Sequence, residues 1–249
     1  MRHTASLFLA ALQFLTRLPV SPGKDLPPDS LGKAAVFFPL VGLLVGTGGV
    51  ALNHILSPYI GRNVLVIVIL LYLVLITGGL HEDGLADAAD GFGGGWQKEQ
   101  ILSIMRDSRI GSFGAIAIAF SLLTRYGCLE SLGGRDFDRF LLAGQVLNRW
   151  TALPLGFFLR SARQENGQGS RVAERISLRS LALGTVLAAA IVGAALGWRS
   201  VWTASSVLAV TIISGIYFWR RIGGVTGDCM GAANQLIEAT VYFTGVLLR

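Results

Sequence analysis

Apolar residues along this chain run in long stretches separated by short polar segments, near 34–57, 64–80, 110–128, 139–159, 180–198, 201–219 and 229–248. A helix needs about 20 such residues to cross the hydrocarbon layer. The pattern therefore predicts an all-α fold, a polytopic integral membrane bundle of about seven transmembrane helices. Pro39 and the glycines at 42, 46, 48 and 49 are expected to loosen the first crossing, while Arg149 interrupts the fourth and Glu238 the seventh. Charges at such depth face a bundle interior or a wet cavity. Ahead of the first crossing, the short apolar run 7–12 is preceded by Arg2 and His3 and followed by Gln13 and Arg17. No small-residue cleavage site precedes Pro19, so this stretch reads as an N-terminal amphipathic helix on the membrane surface rather than a signal peptide.

Composition strengthens the membrane reading. With 52% hydrophobic and 14% charged residues, 32 glycines and a mean hydropathy of +0.59, the chain is too apolar for a soluble domain and rich in the residue that lets membrane helices approach closely. Its formal charge of +6 would suit a nucleic-acid partner, but no basic run is interleaved with aromatics. The lipid bilayer, not nucleic acid, is the expected partner. Connections on alternate sides of the crossings divide the basic residues fourteen to six, with Arg149 inside a crossing. Arg125 counts among the six. The richer side holds the N-terminal arm, the acidic loop after the second run, the segment 160–179, and Arg220 with Arg221. The positive-inside rule places that side in the cytoplasm. Cys128 and Cys229 lie far apart without metal-type spacing. No internal repeat is evident and residues 164–170 read as a flexible loop, so residues 1–249 read as one membrane-embedded domain.

In this charge-poor chain, Glu82, Asp83, Asp87 and Asp90 gather within nine residues. On a helix, Asp83, Asp87 and Asp90 stand at i, i+4 and i+7, inside an arc of roughly 60° at about 100° per residue. Like charges on one stripe repel, and a polyvalent cation would remove that cost. Hard carboxylate oxygens without a soft ligand nearby suit Mg²⁺ or Mn²⁺ better than zinc. A solvated loop or helix-capping aspartates is the plainer alternative. The spacing does not fit an EF-hand loop, which wants ligands at alternate positions. A divalent ion held by few carboxylates completes its shell with phosphate oxygens, so the segment points to metal-dependent handling of a phosphate or diphosphate.

Three further groups share the predicted cytoplasmic face. Arg106 and Arg109, with Ser108 and Ser112, precede the third crossing and suit phosphate oxygens at a helix start, or else simply anchor the helix at the headgroups. Gly223-Gly224-Val225-Thr226-Gly227-Asp228 is a Gly-rich turn into the last crossing, where Thr226 and backbone amides can approach an anion and Asp228 can complete a metal site or cap the helix. Asn148 and Arg149 sit side by side in the fourth crossing, where substrate binding and a structural ion pair are equally open readings. His81 borders the acidic stretch and is left without a role.

Together these blocks resemble a known family, the cobalamin synthases or adenosylcobinamide-GDP ribazoletransferases. The resemblance rests on Leu12-Gln13-Phe14-Leu15-Thr16-Arg17-Leu18-Pro19, Phe37-Phe38-Pro39-Leu40-Val41-Gly42, Asp83-Gly84-Leu85-Ala86-Asp87-Ala88-Ala89-Asp90-Gly91, Met105-Arg106-Asp107-Ser108-Arg109-Ile110-Gly111 and Gly224-Val225-Thr226-Gly227-Asp228, which span nearly the whole chain. It implies nucleotide-loop assembly at the cytoplasmic face of a bacterial inner membrane. Adenosylcobinamide-GDP is joined to α-ribazole or its 5′-phosphate, GMP is released, and Mg²⁺ is required. On the residues here, Glu82, Asp83, Asp87, Asp90 and Asp228 are the expected metal set. Asp83, Asp87, Asp90, Arg106 and Arg109 are the expected catalytic set. Arg106, Arg109, Asn148, Arg149 and Thr226 are expected to bind substrate. A homo-oligomer or association with other cobalamin-assembly enzymes stays open.

Three rivals fit less well. An intramembrane prenyltransferase normally offers two Asp-rich motifs, and only the first is rich here. A CDP-alcohol phosphotransferase carries Ala-Arg after its first Asp-Gly, where this chain has Leu85-Ala86-Asp87. A cation-coupled transporter places its charges at mid-membrane in broken helices, often within repeats.

Overall fold

The computed structural model describes residues 2–22, 30–163 and 176–249. The loop at 164–170 and the basic residues Lys24, Arg171 and Arg175 lie outside the described residues. The chain forms α1 (Arg2–Leu15), α2 (Ser30–Ala34), a 3-10 turn at Ala35–Phe37, α3 (Phe38–Leu56), α4 (Arg62–Thr77), α5 (Leu80–Gly94), α6 (Lys98–Ile104), α7 (Ser112–Ser131), α8 (Gly134–Trp150), α9 (Ala152–Phe158), α10 (Leu178–Leu196), α11 (Arg199–Ile222) and α12 (Gly227–Leu247). Among the described residues the extended chain pairs only in an isolated parallel bridge between Ser161 and Val225.

The all-α membrane fold is as expected; length and apolarity alone identify fewer candidate crossings than seven among the described residues. Four helical stretches are long and apolar enough to cross a membrane: Ser30–Leu56, α7, α10 and α11. A fifth arises if α4 and α5 count as one span, although they bend by 87°. Two of the predicted runs fall outside that set for local reasons. The fourth predicted run divides at Thr151 into α8 and the short α9. The seventh became α12, whose buried Asn234, Gln235, Glu238 and Thr244 lower its apolarity.

α12 and α8 form the centre, with α12 packed on α5, α7, α8 and α11, and α8 on α3 and α10. The glycines expected to loosen the first crossing instead build a seam. A Cβ at Gly42 would collide with the Gln145 carbonyl, and one at Gly46 would lie 3.1 Å from Leu142 Cα, so α3 stays continuous and lies directly against α8. Pro39 sits in the first turn of α3, where a missing N–H costs nothing. Between α4 and α5, Gly78 and Gly79 take φ of 66° and 70°. Two successive left-handed residues turn the acidic helix sharply aside from α4, a path other side chains resist. The N-terminal helix buries Ala10, Ala11, Leu12 and Leu15 and packs Phe14 on Phe38, which carries it to the edge of the site described next.

Candidate active site

Small residues let the acidic helix approach the bundle centre. At Gly84 a Cβ would lie 3.1 Å from both the Asp228 carbonyl oxygen and Gly231 Cα, so α5 and α12 cross almost backbone to backbone. Beside this crossing lies a cavity of about 290 Å³. Asp83 and Asp228 line it together with Arg163, Asn148, Arg149 and Thr226, against an apolar wall that includes Phe14, Leu15 and Phe38. Gly84→Val should force the helices apart, costing roughly 1–3 kcal/mol as an overpacked core does. Activity should fall further than the melting temperature explains, because Asp83 moves away from Asp228; unfolding curves and turnover measured on one preparation check this.

A second junction brings in a residue that sequence reading missed. Ala162 N donates to Val225 O and Val225 N to Arg160 O, both at 2.9 Å, which ties the chain after α9 to the turn before α12. Gly224 is required there, because a Cβ would collide with Arg160 O. Arg163 thereby reaches Asp228 Oδ2 at 2.7 Å. In the sequence Arg163 is one basic residue among several in a polar connection, with no signal of its own. Thr226 caps α12, its hydroxyl oxygen accepting from Cys229 N, and donates to Asp228 Oδ2.

The four clustered carboxylates divide between tasks. α5 is helical as expected, so Asp83 and Asp87 share one face. Asp90 instead grips the start of α7: its two oxygens accept from Gly111 N at 2.7 Å and Gly114 N at 2.9 Å. A Cβ at either glycine would press on that carboxylate, which explains both glycines in the block after Arg109. Glu82 turns into the bundle, where its Oε1 accepts from Arg125 Nη2 and Gln235 Nε2, each at 3.2 Å. Arg106 and Arg109 lie on the exposed loop beside Asp90 and do not line the cavity. The Arg109 side chain, 87% exposed, closes on Asp107 at 2.6 Å. That contact holds the Asp107 carboxyl down at about 2.

Behind the cavity lies a buried network. Arg125, assigned from sequence to a connection, is inside α7 and 1% exposed. It lies between Glu82 and Glu238, at 3.2 and 3.4 Å. Glu238 also accepts from Asn148 Nδ2 at 3.0 Å and Tyr242 Oη at 3.1 Å. Its interruption of the last apolar run was legible; its partners were not.

Burial raises the Asp87 carboxyl from 3.8 to about 6, with Asp83, Asp228 and Asp90 adding to the rise and Arg163 opposing it. A group so placed is short of positive charge, and these hard oxygen donors fit Mg²⁺. Among the described residues, no three His, Cys, Asp or Glu side chains close around one point. Mg²⁺ needs no such cage, since it keeps waters and takes phosphate oxygens beside one or two carboxylates. The pH consequence has a definite sign. The folded state holds the Asp87 proton more tightly than the unfolded state, so metal-free protein should lose stability as pH rises from about 4 to about 6. Added Mg²⁺ should therefore raise the melting temperature more at pH 7 than at pH 5, where the proton competes. Melting curves in detergent with and without Mg²⁺ test this, and the reverse order would contradict it.

The sequence model described as cobalamin-5-phosphate synthase matches residues 7–246. A protein of Ralstonia nicotianae named adenosylcobinamide-GDP ribazoletransferase is 38% identical over 97% of this chain and 95% of its own length. Relatives with the same name are 35% identical in Shewanella pealeana, over 98% and 95% of the two chains, and 33% identical in Clostridium botulinum, over 96% and 97%. No solved structure matches the chain. The family match covers α5, the turn before α12 and every residue of the cavity, and the chain belongs to the cobalamin-5-phosphate synthase family.

Proposed function

We propose that this multi-pass membrane protein is the Mg²⁺-dependent transferase that joins adenosylcobinamide-GDP to α-ribazole or its 5′-phosphate and releases GMP. The observation that carries the reading, beside family membership, is that Asp83, Asp228 and Arg163 line one cavity together with Arg149 and Asn148. A ribose hydroxyl oxygen of the ribazole attacks the phosphorus on the cobinamide side of the diphosphate. The new P–O bond forms as the bond to GMP breaks, and the hydroxyl proton passes to a carboxylate of the site or to water. Such a transfer asks the protein for alignment and charge neutralisation more than for covalent help.

One or two of the Asp83, Asp87 and Asp228 carboxylates would hold Mg²⁺, which would neutralise the charge of the diphosphate when bound. Arg163, held by Asp228, offers a guanidinium to a phosphate oxygen. Asp90 supports this set by fixing the start of α7, and Glu82 by joining α5 to α7 and α12. Arg106 and Arg109 are left for the part of the donor that stays outside the cavity. The charge asymmetry of the connections supports a site on the cytoplasmic face of the inner membrane.

Purified protein in detergent, given adenosylcobinamide-GDP, α-ribazole and Mg²⁺, should release GMP in proportion to the cobalamin formed. Folded protein that releases none refutes the reading.

A further inference from the structure

Among the described residues two arginines lie buried in the bundle, and only one of them is compensated by carboxylates. Arg125 sits between Glu82 and Glu238. Arg149, 2% exposed, has no carboxylate within ion-pair distance among the described residues. Its Nη1 donates to Gln145 O at 3.1 Å, Gln145 Oε1 at 2.8 Å and Asn148 Oδ1 at 3.0 Å, all neutral acceptors. Its Nε is enclosed without a partner. The nearest carboxylate in this network, Glu238, is screened by an intervening amide, for Asn148 donates to Glu238 Oε2 and accepts from Arg149. A buried guanidinium without a counter-charge is costly. This one lines the same cavity as the Asp228–Arg163 pair.

We infer that the free edge of the Arg149 guanidinium is the seat of a phosphate group, and specifically of the 5′-phosphate on the nucleoside acceptor. The inference rests on the transferase reading above and adds which substrate enters the cavity and by which end. A space of about 290 Å³ matches a nucleoside monophosphate and is far too small for a corrinoid. Phe14, Leu15 and Phe38 offer an apolar wall to the base, while Asp83 and Asp228 attract the cation that accompanies the diphosphate of the donor. Carboxylates and a buried, uncompensated guanidinium in one cavity thus sort two phosphate-bearing substrates. A phosphate at Arg149 has two conceivable sources, acceptor and donor, and their kinetics separate them.

The ratio of kcat/KM for α-ribazole 5′-phosphate to that for α-ribazole is measured at saturating adenosylcobinamide-GDP and Mg²⁺, for wild type, Arg149→Gln and Arg149→Lys. The ratio should fall by roughly 10²-fold in Arg149→Gln, the scale of a lost charge-assisted contact, and part of it should return in Arg149→Lys. An unchanged ratio, or a rise confined to the KM of adenosylcobinamide-GDP, overturns the assignment and gives Arg149 to the scaffold or to the donor. Calorimetric binding of the two acceptors to wild type decides the matter even if the variants do not fold, because equal affinities overturn it. Absence of turnover with either acceptor would refute the transferase reading while leaving that binding comparison to judge Arg149.

Discussion

Asp87→Asn is expected to lower turnover by about 10³-fold, the scale of removing one group that stabilises transition-state charge, while the protein folds as before and melts no lower. The substitution keeps shape and removes charge from a carboxyl that Asp83, Asp228 and Asp90 already disfavour. Above pH 6 and without divalent ion, Asp87→Asn should be slightly more stable than wild type, because repulsion is relieved. Activity and stability therefore move in opposite directions. Asp90→Asn should do the reverse, weakening two backbone contacts at the start of α7 and lowering stability before it lowers the rate at saturating Mg²⁺. Turnover and melting temperature across a Mg²⁺ titration separate the two, and normal turnover by Asp87→Asn at ordinary Mg²⁺ concentrations would remove Asp87 from the metal set.

Arg125→Met should give the largest loss of stability, about 3–5 kcal/mol, because removing one partner of a buried ionic group strands the others. Glu82 and Glu238 would then face one another inside the bundle without a cation between them. Adding Glu238→Gln to Arg125→Met should recover part of the loss by removing one of the stranded charges. A double-mutant cycle by denaturant unfolding in detergent reads the coupling. Losses that simply add would show that Arg125 and Glu238 do not act as a unit. The same network fixes Asn148, whose amide bonds both Glu238 and Arg149, so Arg125→Met should also weaken acceptor binding.

Much of the architecture follows from one-dimensional pattern. Membrane helices are legible because the bilayer demands long apolar runs whatever their partners. The turn before α12 is legible because Gly and a capping Thr226 act within a few residues. The helix under the acidic stretch follows as well, since carboxylates at i, i+4 and i+7 share a face by helix geometry alone. Hydropathy is a poor guide where a helix buries polar side chains against partners, as in α8 and α12, because it cannot see a partner that compensates Glu238. Arg125 falls within the third apolar run, and because that helix continues to Ser131 the side chain lies inside the bundle and not in a connection.

By itself, then, the sequence determined a helical membrane protein with a carboxylate stripe on one helix, an arginine and a glutamate at depth, and the motifs of its family. Tertiary structure alone decided how those charges are spent: Asp83 and Asp228 to the cavity, Asp90 to the start of α7, Glu82 to Arg125, Arg163 to Asp228, and Arg149 to no carboxylate among the described residues. The physical reason is range. Helix periodicity and capping act over a few residues, whereas the partner of a buried charge is set by which helices cross closely enough, here through Gly84 on Gly231 and Val225 on Arg160, between positions more than sixty residues apart in the chain.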